Sequence, residues 1–535
     1  MTPSDKARRT DRVLCFAPLL AALLIRAVGL RFGLPQVIED EDEQCVVQTA
    51  VGIFGGDWRL SSFRYPSLFI YAIRVALQPV ALWGRLAGEA PDAAHLIARF
   101  DADVTPFVLI ARVLSLAAGL GTIAVAAAIA RRLGGATAGL LTGLALAPNP
   151  LHAELSRLGR VDSTLVLWLT AGLYFTIRYF QEGRARDLAF MSLSGGLALA
   201  TKYSAPLFLP VSVAVAFLRG PTDRHPLVAS RLSRVLIAAA VPVAVFFLLN
   251  PQALLNPGAL LAWVLHQSDR VGTSVGSTKP PGAVYYSGLL LSGSFGAGLL
   301  VVSLVGLLAL ARRDRAMCAC LLLFVLPYSI VIGTSRPTFD RYLLPILPVL
   351  AIGAGLGAVA LAKRFSRTPG LVFALALIPT LPFLASRLVI DVSGGDTRLR
   401  AVKWVEDNVR PGSTVFLIQP VNAALPLGDL GARSLSRRFW LRDHLKTRPE
   451  VRRRAVQVAD SLRASSAKPL YRVVSLGSTP WPEYRDKTLR SVVAWSGWRA
   501  ERAPSHLGET HAPPVVFRRG WACQGPYVLI YPPKP

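Results

Sequence analysis

Residues 13–43 read VLCFAPLLAALLIRAVGLRFGLPQVIEDEDE. An apolar stretch from Val13 to Arg31, preceded by Lys6, Arg8, Arg9 and Arg12, runs on to Glu39, Asp40, Glu41, Asp42 and Glu43. About 20 apolar residues are what an α-helix needs to cross the hydrocarbon core of a bilayer. The basic flank resembles a secretory signal, but no small-residue cleavage site follows it and further apolar segments do. The segment is therefore expected to remain as a signal-anchor helix. The carboxylates then stand where the chain leaves the membrane. With 59 Lys+Arg against 32 Asp+Glu, five acidic residues in succession are conspicuous. Such a run can supply a general base, a set of metal ligands, or a solvated loop that helps fix orientation.

Working outward, the 535-residue chain is 52% hydrophobic and 17% charged, where soluble proteins carry about 25% charged residues. Its mean hydropathy is +0.44. Apolar segments recur near 67–88, 104–130, 134–150, 161–178, 187–200, 203–218, 232–250, 287–311, 316–334, 341–362 and 369–390. This pattern is that of a polytopic α-helical membrane protein. The net charge of +27 follows from the basic cytoplasmic loops of such proteins, and no nucleic-acid partner is expected. The five cysteines offer no disulfide framework, and Cys318 and Cys320 fall inside an apolar segment as small hydrophobes. The seven histidines are scattered and none forms HExxH, so neither a metal nor another cofactor is expected; the acidic run is the one place where a divalent ion has ligands.

Arg131-Arg132, Arg178 to Arg186, Arg219 to Arg234, Arg312 to Arg315 and Lys363 to Arg367 separate many of the segments. Placing each in the cytoplasm gives a consistent alternation from residue 104 onward. The outer face then receives 157–162, Lys202, 251–286, 334–341 and all residues beyond 390. The basic N-terminus also belongs inside, so residue 34 and residue 104 both lie outside. Segment 67–88, with Arg74, Pro79 and Arg85, is thus expected to lie in the interface or re-enter. About eleven spanning helices remain on the ~20-residue criterion. Residues 1–390 read as a membrane domain whose first outer loop is 34–66. Residues 391–535 read as a small extracytoplasmic α/β domain, with strands at Ser413–Ile418, Leu470–Leu476, Ser491–Trp495 and Tyr527–Tyr531 and a helix from Asp396 to Val409 closed by Pro411-Gly412.

Polar residues at membrane depth are costly and become functional candidates. The outer face collects the carboxylate run, Arg64-Tyr65-Pro66, Arg157, Arg160, Asp162, Lys202-Tyr203, and Arg336 with Asp340-Arg341-Tyr342. Each has a plain structural reading as well. Asp162 suits a helix N-terminus, Lys202 can extend to the headgroups, and Arg341 can anchor at the interface. Their convergence on one face favours a site that binds an anion and handles a proton. A carboxylate takes a proton from a hydroxyl, while Lys and Arg neutralise a departing phosphate.

The sequence resembles the membrane-embedded glycosyltransferases of the GT-C class, most nearly glycosyltransferase family 39. That family includes the protein O-mannosyltransferases and the aminoarabinose transferases that modify lipid A. The resemblance rests on Asp42-Glu43 followed by Gly56-Asp57-Trp58, Tyr65-Pro66-Ser67-Leu68, Ala111-Arg112-Val113-Leu114-Ser115, Arg160-Val161-Asp162, Ala200-Thr201-Lys202-Tyr203, Asn250-Pro251-Gln252, Arg341-Tyr342-Leu343-Leu344-Pro345 and Asp396-Thr397-Arg398 leading to Trp404. It implies transfer of a sugar from a polyprenyl-phosphate donor to a hydroxyl on a glycan, lipid or protein at the outer face, with inversion. It assigns the base to Asp42, with Glu43 in support and Asp162 as the second acidic position. Asp40-Glu41 is a second Asp-Glu pair, so the register can slip by two. Arg341, Lys202, Arg160 and Arg64 are the candidates for the donor phosphate, and Tyr65, Tyr203 and Tyr342 for substrate contacts. Where the aminoarabinose transferases place a Lys before the second-loop Pro, this chain has Tyr65, with Arg64 beside it. The resemblance also supports a non-spanning helix after the first loop.

Two other classes fit the span pattern. A lipid-linked sugar flippase or secondary transporter explains the intramembrane charge, but no internal repeat or paired broken helices accompany it. A membrane scaffold leaves the acidic run and Arg341 unexplained. Richness in Ala, Arg and Leu with few Lys suggests a GC-rich bacterial genome, hence a multi-pass protein of the cell inner membrane.

Overall fold

A computed structural model of the chain describes residues 3–34, 41–56, 58, 60, 63–220, 230–272, 280–335, 338–418, 446, 448–464, 472–475, 491–497, 507, 511–518, 523 and 527–533. The chain forms two compact units. The first comprises Met1–Leu30, Ser62–Val75 and Ile110–Leu384; the second comprises Arg31–Ser61, Ala76–Leu109 and Ala385–Pro535.

The protein is a multi-pass membrane protein. Among the described residues, five helices are long and apolar enough to cross a bilayer: Thr105–Gly134, Arg231–Leu249, Arg315–Thr334, Asp340–Phe365 and Pro369–Ser393. A sixth candidate, Gly282–Ser294 with Ala297–Arg313, is bent by 108°. Its bend falls at a single π turn, Leu290–Ser294, followed by Gly296 at φ 86°, a left-handed value that glycine adopts without steric cost. Other apolar helices are shorter, among them Ala136–Leu146 and Ala185–Leu199. The expected interfacial segment 67–88 is two helices of 9 residues, Leu68–Ala76 and Gln78–Leu86. Each is about 14 Å long at ~1.5 Å per residue, against the ~30 Å of a hydrocarbon core.

Of the span candidates the most enclosed is Asp340–Phe365, whose helix Leu347–Phe365 is set against Ala297–Arg313 and Ala136–Leu146. Bare backbone makes this possible. A Cβ on Gly306 would collide with the Gly353 carbonyl, one on Gly357 with the Val302 carbonyl, and one on Gly355 with the Ala138 carbonyl. Gly353 and Gly357 lie four residues apart and share a face; small residues at that spacing let membrane helices approach closely.

Backbone groups at helix ends also need partners, because hydrocarbon offers none. The first helix, Pro3–Val28, ends among three arginines. Arg26, fully buried, donates to Ala22 O (3.0 Å), Ala147 O (2.9 Å) and His152 Nδ1 (2.7 Å). Arg157 donates to Gly29 O (2.9 Å) and Arg112 to Leu30 O (2.8 Å).

In the second unit a five-stranded sheet has the order β2-β1-β3-β5-β4, with β1 Thr414–Ile418, β2 Arg472–Ser475, β3 Val492–Gly497, β4 Val515–Phe517 and β5 Tyr527–Tyr531. β1 runs parallel to β2 and β3, while β5 is antiparallel to β3 and β4. Helix Thr397–Asn408 buries Ala401, Val402 and Val405 against Val415, Leu417, Ala494, Val528 and Ile530. Its N-cap is Asp396, which accepts from the Arg398 amide (2.8 Å) and from both Arg398 Nε (3.0 Å) and Nη2 (2.8 Å). Helix Pro449–Ala464, which connects β1 and β2 in sequence, packs on helix Ala93–Ala102, with Arg454 3.0 Å from Asp92.

Replacing Gly306 by Val should lower the unfolding midpoint of the detergent-purified protein, at a cost of about 1–3 kcal/mol for overpacking. Leu304→Val, at an exposed position of the same helix, should leave the midpoint nearly unchanged. Equal midpoints for the two would contradict this close approach.

Candidate functional site

The polar centre of the first unit is built where helix termini meet. Helix Val161–Glu182 starts after Arg160 as N-cap, which places Asp162 in its first turn. Carboxylates are favoured there by the unpaired amides and the helix dipole. Lys202 lies in the turn after helix Ala185–Leu199, and Arg341 and Tyr342 in a 3-10 turn, Asp340–Ile346, that leads into Leu347–Phe365.

Asp162 is 2% exposed. Its Oδ1 accepts from Lys202 Nζ at 2.6 Å, and its Oδ2 is 3.2 Å from Arg160 Nε, an ion pair whose angle falls short of a hydrogen bond. Arg341 acts on Asp162 through its charge. The Tyr342 ring lies between two cations, with Lys202 Nζ 5.5 Å and the Arg341 guanidinium 5.7 Å from its centroid. Arg341 also lies 4.3 Å from the Phe339 ring centroid. Three cations thus gather at one buried carboxylate.

Neighbouring segments hold this group in place. Ser115 Oγ donates to Arg160 O (3.0 Å) and accepts from Arg160 N (3.2 Å), pinning the N-cap residue at both its backbone groups. The Leu68 amide donates to Ala200 O at 3.0 Å. The Ser67 amide donates to Asn250 Oδ1 (2.6 Å), and the single Ser67 hydroxyl hydrogen is shared between Asn250 Oδ1 (2.7 Å) and Leu249 O. The segments Tyr65-Pro66-Ser67, Ala200-Thr201-Lys202 and Asn250-Pro251-Gln252 therefore meet. Arg64, exposed, and Tyr65, half-buried, precede Ser67, and Tyr203, half-buried, follows Lys202.

The structure thus brings together Arg160, Asp162, Lys202, Arg341 and Tyr342. Asp42 and Glu43 belong to the second unit, in the first turn of helix Glu41–Gly52, and both are buried. Glu39 and Asp40 lie outside the described residues, as does Arg336. Among the described residues no three His, Cys, Asp or Glu side chains gather as a metal-binding group. Sequence reasoning missed Ser115 as the clamp on Arg160, the buried Tyr328, and the tandem Tyr285-Tyr286 beside Phe339 and Asp340. The tandem follows Pro280-Pro281 at the head of an apolar segment, which was the available signal.

Residues 105–249 match the family model for dolichyl-phosphate-mannose-protein mannosyltransferases. The chain superposes on the crystal structure of ArnT from Cupriavidus metallidurans bound to undecaprenyl phosphate, with a TM-score of 0.50, 16% identity and 97% of each chain covered. The fold is that of the GT-C class. The apo form of ArnT from the same organism gives 0.49 at 17% identity, covering 98% of each chain. The oligosaccharyltransferase AglB from Archaeoglobus fulgidus, in complex with an inhibitory peptide and a dolichol-phosphate, gives 0.46 at 13% identity, covering 76% of this chain and 62% of that one. No curated protein matches the chain by sequence. On this GT-C fold, the matched range 105–249 contains Ser115, Arg160, Asp162 and Lys202.

Asp162→Asn removes the carboxylate charge that half-buried Lys202 and buried Arg160 share, a change that costs about 3–5 kcal/mol for buried pairs in other proteins. Its unfolding midpoint should fall well below that of the native chain. Asp162→Asn with Lys202→Met should lose less than the sum of the single changes, the signature of a directly coupled pair. Strict additivity would mean that the two side chains do not share this contact.

Proposed function

We propose that the protein is a membrane glycosyltransferase that moves a sugar from a polyprenyl-phosphate donor to an acceptor hydroxyl on the outer face of the membrane, with inversion. The observation that carries this reading is the convergence of Arg160, Lys202 and Arg341 on one buried carboxylate in a unit rich in membrane-spanning helices. The family model over residues 105–249 supports it, as does a fold shared with a protein whose crystal structure holds undecaprenyl phosphate. The acceptor is a glycan, lipid or protein hydroxyl, the membrane is the cell inner membrane, and residues 391–535 are extracytoplasmic. No metal takes part.

The chemistry assigns each group a task. The bond between the sugar C1 and the phosphate oxygen breaks as the acceptor oxygen bonds to C1 from the opposite face. The acceptor proton passes to Asp42, with Glu43 in support. The leaving polyprenyl phosphate carries one more negative charge than it did within the donor. Lys202 and Arg341 meet that charge, with Arg160 and Arg64 adding to the field. Because the charge grows as the bond breaks, prepositioned cations stabilise the transition state more than the ground state. Asp162 orients Lys202 and Arg160. Tyr342, held between two cations, and Tyr65 and Tyr203 contact the substrate.

Mass spectrometry of envelope glycolipids, glycans and proteins tests this in cells with the native chain, with Asp42→Asn, with Asp40→Asn and without the gene. The expected result is one sugar mass missing from the same acceptor in the deletion and in Asp42→Asn. Lys202→Met should reduce the modification by about 10²–10³ in rate, the range for loss of one preorganised charge-stabilising group. If Asp42→Asn retains full modification while Asp40→Asn abolishes it, the base lies two residues earlier. If every product stays covalently unchanged while a lipid-linked sugar accumulates on one membrane face, the protein is a transporter.

A further inference from the structure

The cation Arg341 sits in a segment that is gripped from one side by two consecutive tyrosines. Tyr286 Oη donates to Phe339 O (3.2 Å) and accepts from Phe339 N (3.2 Å), so a single hydroxyl satisfies both backbone groups of one residue. Tyr285 Oη donates to the Asp340 carboxylate. The ring of Phe339 in turn lies 4.3 Å from the Arg341 guanidinium. Both tyrosines come from helix Gly282–Leu289, the first part of the element bent by 108°. That helix begins hard against the end of Arg315–Thr334: a Cβ on Gly282 would collide with the Ile332 carbonyl. Tyr286 is 4% exposed, whereas Phe339 is 41% exposed. The holding group is therefore buried, while the side chain of the residue it holds is exposed.

We propose that Tyr286, assisted by Tyr285, is the positioning residue that aims Arg341 at the donor phosphate, so that helix Gly282–Leu289 sets donor affinity without touching the phosphate itself. This inference rests on the assignment of Arg341 to the phosphate under the proposed function. The physical logic is local. A 3-10 turn has weaker internal hydrogen bonding than an α-helix, and Asp340–Ile346 is such a turn. Its N-cap residue, Phe339, is bonded at both backbone groups by the Tyr286 hydroxyl, and its carbonyl also accepts from the Tyr342 amide at 3.0 Å. Phenylalanine at 286 keeps the ring in its buried place and removes only the two bonds to Phe339. The Arg341–Phe339–Tyr342 arrangement then loses its fixed end, and the cation no longer waits in one place.

The experiment uses the full chain in detergent, titrated with undecaprenyl phosphate as probe and read by microscale thermophoresis, with the unfolding midpoint of each variant recorded alongside. Arg341→Gln should weaken binding. Tyr286→Phe should weaken it on the order of five- to tenfold, what the loss of one or two ordinary hydrogen bonds yields when they act on affinity. The double variant should bind no more weakly than Arg341→Gln alone, because the tyrosine acts only through the arginine. Ser192→Ala, which removes a buried hydroxyl bonded to Leu188 O at 2.9 Å, serves as a purely structural control and should leave binding as in the native chain. Native binding by Tyr286→Phe, or a double variant in which the two losses multiply, would overturn the positioning role and leave the phosphate site intact. Failure of the native chain to bind the probe, or native binding by Arg341→Gln, would instead overturn the assignment of the phosphate to Arg341, and this inference with it.

Discussion

A carboxylate buried in a membrane-spanning unit costs several kcal/mol unless cations meet it, and Asp162 is such a group. That requirement draws three distant parts of the chain to one point: Arg160 at a helix N-cap, Lys202 in the turn after another helix, and Arg341 in the turn before a third. The segments that bring these residues in are themselves tied by polar bonds, Ser115 to the Arg160 backbone and Leu68 to Ala200. On the proposed function, the side chains that close the fold also meet the donor phosphate, and stability and anion recognition share the same atoms.

The arginines of the first unit divide into two kinds. Arg112 and Arg157 spend donors on the Leu30 and Gly29 carbonyl oxygens beyond the end of the first helix, and Arg26 on Ala147 O just past the end of helix Ala136–Leu146. They serve as backbone caps in a setting where water cannot. Guanidinium suits this because its several donors diverge in a fixed plane and stay charged. Arg160 and Arg341 instead face a carboxylate and aromatic rings. The distinction matters for motif reading. Ala111-Arg112-Val113-Leu114-Ser115 belongs to the pattern that resembles a glycosyltransferase, yet Arg112 caps Leu30 and Ser115 clamps Arg160. Those residues support the site from behind.

Much of this was legible in the sequence, for identifiable reasons. Apolar runs bounded by charge clusters coincide with helices such as Thr105–Gly134 and Arg231–Leu249, because hydrocarbon length sets segment length. Alternating apolar residues marked β1, β2, β3 and β5 within two residues of their ends. β4, of only three residues after Pro513-Pro514, is too short for alternation to register. Helix Pro449–Ala464 is less legible: Val451, Ala455, Val458, Ala459 and Leu462 keep helical spacing and Pro449 suits a first turn, but Arg452, Arg453 and Arg454 make the segment too polar for its period to stand out. Asp162, Lys202 and Arg341 stood out because charge is rare at membrane depth. Tyr286 and Tyr328 did not, since a tyrosine in an apolar run reads as core, and its hydroxyl partner is set by tertiary approach alone.

The geometry also narrows which acid can move a proton. A general base needs a lone pair turned toward the acceptor hydroxyl and a proton affinity that neighbouring charge has not removed. Asp162 has one oxygen bonded to Lys202 and the other beside Arg160. Both oxygens are thus engaged by cations, which makes the carboxylate an anchor. On the proposed reaction, proton transfer therefore falls to an acid outside this triad, and the carboxylates at the head of helix Glu41–Gly52 are the group that the resemblance supplies. Cations that stabilise a departing phosphate would equally suppress the basicity of any carboxylate placed among them.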